Sequence, residues 1–252
     1  MRLWPPRRSP ARPGRRRRWP WVMAGVVALV LVAGAVLVRA YPSVAATTCP
    51  RCYGMVPVRD DLYIEPGRSD ADRQRLVDVY DAATRRVDDF YRGRRSDPTV
   101  LACFTPGCYE RIGGGGERGI AILDQALMLS PRGIDPVIAA HELSHVEFHT
   151  RLGSHADDVP QWFDEGLAVL VSDDSRYLLP PTESDRCRDT SPGPLPDTLD
   201  AWLRAASADE QVYARAACRV HRWVDGHGGR RAVLDLIDRV RAGDDVGTLL
   251  AD

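Results

Sequence analysis

The sequence predicts an α+β fold, on two main observations. Short segments rich in β-branched, aliphatic and aromatic residues crowd the first half of the region after residue 56, and helical periodicity fills the second half. A third observation sets the context: an uncharged apolar run precedes that whole region. With 252 residues, 44% of them hydrophobic, the chain can build one substantial core.

Residues 1–20 form a basic, proline-rich tail with eight arginines and no acid. Trp21 to Val38 holds eighteen residues without a charge. As a helix this run reaches about 27 Å, close to the thickness of a hydrocarbon core. It reads as a transmembrane anchor over 21–38. The arginine block before it predicts a cytoplasmic N-terminus, with the remainder across the inner (cytoplasmic) membrane, periplasmic or extracellular. A cleaved signal peptide ending within Ser43–Ala46 is the rival, but its apolar region would be unusually long. Residues 39–56 read as a linker and 57–252 as the globular domain.

All thirty-five acidic residues follow residue 40, against twenty-five arginines, and lysine is absent. The folded part is therefore acidic by about ten charges, which excludes a nucleic-acid surface.

Asp61–Pro66 reads as the first strand of the domain. A helix follows over Asp70–Tyr91, capped by Ser69, with Leu76, Tyr80, Ala83, Val87 and Phe90 on one face. Thr99–Phe104 is a second strand. The glycine run Ile112–Gly119 is a turn; it lacks the Gly-Lys-Ser/Thr ending of a phosphate loop. Ile120–Ser130 reads as one or two strands. A helix then begins with Asp135 as cap and Pro136 in its first turn, ending near Gly153. Helices are expected over Val159–Ser172, Asp197–Ala206, Ala208–Asp225 and Gly229–Ala242. A proline-rich loop covers Asp174–Pro196. Trp202 and Trp223 suit the core, and His227 a helix C-terminus.

Six cysteines all follow the apolar run, and an even count in an exported domain predicts disulfides. Cys103 with Cys108 and Cys187 with Cys218 are the pairs suggested by position. Cys49 and Cys52 remain, as a third bridge or a redox pair. A structural zinc shared with Cys103 and Cys108 is the other option, which an oxidising compartment disfavours.

The chemistry centres on "HELSH", His141 to His145. Residues four apart on a helix lie about 40° apart around the axis and about 6 Å along it. His141 and His145 can therefore hold one ion, while Glu142 is offset and can reach a water beside it. A catalytic zinc needs a third protein ligand. Glu165, in "PQWFDEGLAVL", is the candidate. It lies in a mostly apolar helix where a charge needs a partner, and nineteen residues after His145 allow an antiparallel return. His149 and His155 read as surface residues.

His-Glu-Leu-Ser-His followed by Trp-Phe-Asp-Glu-Gly-Leu-Ala resembles the gluzincin metallopeptidases, through the span from His141 to Ala168. The resemblance implies a zincin-like fold: a small strand-rich N-terminal lobe packed on a helical lobe, here preceded by one transmembrane helix. It looks most like small, membrane-anchored bacterial members. It implies Zn2+ held by His141, His145 and Glu165, and peptide hydrolysis by a zinc-activated water with Glu142 as general base. For the oxyanion it nominates Tyr213, then His221. Substrates would be peptides or proteins entering as an extra strand along the edge strand near Ala126–Ser130. The Gly-x-Met-Glu-Asn motif of the aminopeptidases is missing, so aminopeptidase action is not expected. A catalytically inactive, zinc-stabilised adaptor on the membrane is the alternative function, and a thiol oxidoreductase built on Cys49 and Cys52 a weaker one. Partners beyond substrate and membrane, and the oligomeric state, stay open.

Overall fold

The computed structural model describes residues 19–251, so the expected basic tail over 1–20 lies almost wholly outside the described residues. The chain divides into two units at Tyr41/Pro42. The first unit is a single helix, α1 (Trp19–Ala40), 22 residues long. Among the described residues no helix is long and apolar enough to cross a membrane. Several α1 side chains in the expected anchor, Trp21, Val22, Leu31 and Leu37 among them, lie outside the description.

The second unit begins earlier than expected. Residues 42–56, expected as part of a linker, fold into α2 (Pro42–Thr48), a 3-10 turn (Pro50–Tyr53) and the start of β1 (Val56–Arg59). Ala46 and Met55 are buried in one cluster with Leu101 and Met128 of the sheet and with Cys103, just beyond the strand Thr99–Ala102. Such small residues in so short a stretch carry no readable periodicity.

The sheet has five strands in the order β1-β2-β3-β5-β4, adding β2 (Leu62–Ile64), β3 (Thr99–Ala102), β4 (Gly119–Ile122) and β5 (Ala126–Leu129). Strands β2, β3 and β5 run parallel, while β1 and β4 are antiparallel edges. Ala126–Leu129, expected at the edge, is thus an inner strand, and β4 takes the edge beside it. The two form a hairpin whose turn residues Leu123 and Asp124 both have positive φ, at 48° and 56°, matching the strand twist.

Helix α3 (Asp70–Tyr91) connects β2 to β3. The Ser69 hydroxyl accepts from the Asp72 amide, and the Asp72 carboxylate accepts from the Ser69 amide. Its predicted apolar positions are all buried. A short α4 (Pro106–Arg111), unforeseen, starts inside the loop closed by the Cys103–Cys108 disulfide. Disulfides also join Cys49 to Cys52 and Cys187 to Cys218, leaving no free cysteine for a zinc site.

Helix α5 (Pro136–Leu152) is the axis of the domain. The Asp135 carboxylate accepts from the Val137 amide at 2.8 Å to start it. It packs on β4 and β5, on α3, and on two later helices, so it is buried on most sides. Its lower half is pinned by a buried ion pair. Glu147 accepts from Arg151 and from the Arg95 and Ser96 amides, at 2.9 and 2.8 Å, while Arg151 donates to the Gly93 carbonyl. Such a pair is costly to break because either partner alone would be an unpaired buried charge.

The helices that follow are α6 (Gln161–Ser172), α7 (Leu199–Ala208), α8 (Gln211–Gly226), α9 (Arg230–Arg241) and the unforeseen α10 (Val246–Leu249). Helix α6 starts after Val159, which is extended because Pro160 follows it. Trp202 and Trp223 are core residues, and His227 caps α8, as expected. The fold is α+β, a mixed sheet covered by helices.

Candidate metal centre and cleft

Helix α5 supplies His141 and His145 one turn apart, and α6 returns against it with Glu165. On its other side, α6 meets α8 closely at Gly166. A Cβ there would stand 2.6 Å from the Ala216 carbonyl oxygen and 2.7 Å from Val220 Cγ2, so only glycine lets α6 seat on α8. The same contact brings Tyr213, one turn earlier on α8, toward the histidines.

The three predicted ligands meet. His141 Nε2 lies 3.1 Å from His145 Nε2 and 3.4 Å from Glu165 Oε2. His145 Nε2 lies 3.8 Å from the same carboxylate oxygen. The group could hold a metal ion. Gln161 Nε2 donates to the other oxygen of Glu165 at 3.3 Å, which leaves Oε2 aimed at the histidines.

A second group overlaps it: His145, His149 and Asp164. Here every close contact is a hydrogen bond between a ring nitrogen and a carboxylate. Asp164 Oδ1 is 2.9 Å from His145 Nδ1, and Asp164 Oδ2 is 2.9 Å from His149 Nε2. His149 Nδ1 in turn meets Asp124 Oδ1 at 2.7 Å, at the tip of the β4–β5 hairpin. We read this group as the support of the first. With a cation bound, Asp164 would keep the proton of His145 on Nδ1 and leave Nε2 as a lone pair. His149 is therefore no free surface residue, contrary to expectation. Its rotation away from His141 on the helix aims it at Asp164 instead. His155 is partly exposed, beside Asp158.

Electrostatics follow from burial and these partners. Burial opposes charge on His145, but Asp164, Glu165 and Glu142 outweigh it and, without a cation, push its pKa up to about 9. His149 is likewise pushed up, to about 10, by Asp124 and Asp164 against the effect of burial. Burial would raise Asp164, yet the two histidines hold its carboxyl far below the usual range. Burial raises Glu142, and the adjacent histidines pull it partly back. Raised basicity suits a group that must take up a proton.

Glu142 runs along the edge strand. Its Cγ lies where a Cβ on Gly119 would stand, 2.7 Å away, so Gly119 makes room for it. An open cleft of about 380 Å³ lies over it, lined by His141, Glu142, Tyr177, Tyr213, Arg118 and Arg132 among others. Tyr213 stacks on Tyr177, with ring centroids 5.1 Å apart, and meets the Trp202 edge at 5.0 Å. Its ring centroid is 6.4 Å from that of His141. Burial, with Glu165 beside it, raises its pKa well above normal, so it is a neutral hydroxyl donor. His221, the other nominee, lines a separate cavity with Leu170 and Arg186.

Sequence reasoning missed Asp164, Asp124 and Tyr177. Asp164 had a signal: it too is an acid in a mostly apolar helix and needs a partner as Glu165 does. The pairing of Asp124 and the stacking of Tyr177 depend on contacts across the fold and had none. Comparison of the chain with protein-family models, curated proteins and solved structures finds no match. The gluzincin resemblance thus rests on the motif residues, and the site on its own geometry.

Proposed function

We propose that the protein is a membrane-anchored zinc-dependent peptidase of gluzincin type. The observation that carries this reading is the triangle of His141 Nε2, His145 Nε2 and Glu165 Oε2, with edges of 3.1, 3.4 and 3.8 Å. Two ligand atoms about 2.05 Å from a tetrahedral zinc stand about 3.3 Å apart, so the residues fit that ion. Two imidazoles and one carboxylate are also a catalytic donor set, because they leave a coordination position open. When bound, zinc supplies Lewis acidity toward water and a carbonyl oxygen.

The residues divide the remaining work. Glu142 takes a proton from the attacking water and returns it to the leaving amine, which its position in the cleft and its raised pKa support. Tyr213 donates a hydrogen bond from its hydroxyl to the oxyanion that develops on the carbonyl. Asp164 holds His145 in the ligating tautomer. Substrate would lie along the edge strand β4, which borders Glu142 through Gly119, rather than along β5. The uncharged run Trp21–Val38 supports the anchor, and the acidic folded part with three disulfides supports an exported domain.

The deciding experiment is the metal content of the full-length protein beside Glu165→Ala. One zinc per chain, with much weaker binding in the variant, supports the reading. A folded wild type that binds no added zinc refutes it.

A further inference from the structure

Two arginines on one side of the cleft lack an acidic partner. Arg118 directly precedes β4, next to Gly119, where Glu142 passes. Arg132 lies in the turn between β5 and α5 and donates one hydrogen bond to the Gly116 carbonyl at 2.6 Å. Their backbones are locked together at the hairpin end. The Ser130 amide donates to the Arg118 carbonyl at 2.9 Å, and a Cβ on Gly133 would stand 1.9 Å from that same oxygen. Both arginines are exposed and line the cleft that holds His141, Glu142 and Tyr213.

Among the described residues neither arginine forms an ion pair. The third arginine of the cleft, Arg176, is held by Asp174. The cleft acids besides Glu142 are also engaged. Glu210 accepts from the Tyr177 hydroxyl at 2.5 Å, and Glu117 accepts from the Gly115 amide at 2.7 Å. A guanidinium carries five N–H donors, so most of those on Arg118 and Arg132 remain for a ligand. The cleft also carries Glu117, Glu142 and Glu210, so the two guanidiniums act on a ligand through short-range contacts rather than through a net field.

We infer that Arg118 and Arg132 recognise a carboxylate on the substrate, so that the cleft selects acidic peptides. The planar fork of a guanidinium matches a carboxylate, and such charge-assisted bonds are the stronger kind. The carboxylate is either an Asp or Glu side chain or a free C-terminus. That the ligand is a peptide rests on the peptidase reading.

The test is binding, measured by calorimetry on full-length, zinc-supplied protein carrying Glu142→Gln to prevent turnover. Three tetrapeptides are compared: acetyl-Ala-Glu-Ala-Ala-amide, acetyl-Ala-Gln-Ala-Ala-amide, and the latter with a free C-terminus. A carboxylate is expected to tighten binding about tenfold over the neutral peptide. Whichever acid-bearing peptide gains identifies the source. Arg118→Gln and Arg132→Gln should each reduce the gain, and the double variant should abolish it without changing neutral-peptide affinity. Raising salt from about 50 to about 500 mM should shrink it. Equal binding of all three peptides, no binding of any, or a preference that survives the double variant overturns the inference. Hydrolysis by the wild type is scored separately. Cleavage of neutral and acidic peptides alike would overturn the inference and leave the peptidase reading standing. Acid-selective binding without any cleavage would do the reverse.

Discussion

Asp164 and His145 meet at 2.9 Å through the ring nitrogen that faces away from Glu165, so one imidazole is held from both sides by neighbouring residues of one helix. Asp164 and Glu165 are adjacent in sequence, yet they serve opposite nitrogens of the same histidine. Replacing Asp164 with Asn removes the charge and frees the tautomer. Metal affinity, measured by competition with a chelator, should fall about 10–100-fold. Unchanged affinity would remove Asp164 from the site.

Glu142 reaches the cleft without joining the ligand triangle. Glu142→Gln keeps its size and should retain the metal and the thermal stability of the wild type. Any peptide hydrolysis should fall about 10²–10⁴-fold. A variant that loses its metal as well would make Glu142 a ligand rather than a base.

Gly166 sets the distance between α6 and α8. In Gly166→Ala the new methyl would press on the Ala216 carbonyl and Val220. Overpacking of this kind costs about 1–3 kcal/mol, or about 2–4 °C in Tm per kcal/mol for a domain of this size. Because the backbone rather than a flexible side chain is in the way, relaxation must move a helix. A variant as stable as wild type, with unchanged metal affinity, would show that the crossing is looser than its contacts indicate.

His149 gives the chelator-treated protein a distinct pH dependence. Its folded pKa, about 10, lies above the unfolded value near 6.5. Its stabilising contribution is therefore complete below about pH 6.5 and is lost as pH rises through about 10. Tm should decline over that window, and His149→Gln should flatten the decline. A steeper alkaline loss in the variant would contradict the pairing with Asp124 and Asp164.

Local chemistry by itself determined much of this protein. Ser69 and Asp135 announced two helix starts, and period-3.6 burial announced α3 over the same residues the structure shows. The one-turn spacing of His141 and His145 is a property of any helix, and an acid in an apolar helix needs a partner wherever it lies. Those facts were enough to nominate the ligand triangle. They could not say that Ala126–Leu129 is an inner strand, since strand order depends on pairing between distant segments and both hairpin strands are equally apolar. They could not show α2 (Pro42–Thr48) packed on the sheet, because seven residues of small side chains have no periodicity to read. The roles of Asp164, His149 and Asp124 were hidden for the same reason. A hydrogen bond between α5, α6 and a hairpin tip exists only after long-range packing has brought the three together, and nothing in the local sequence encodes that distance.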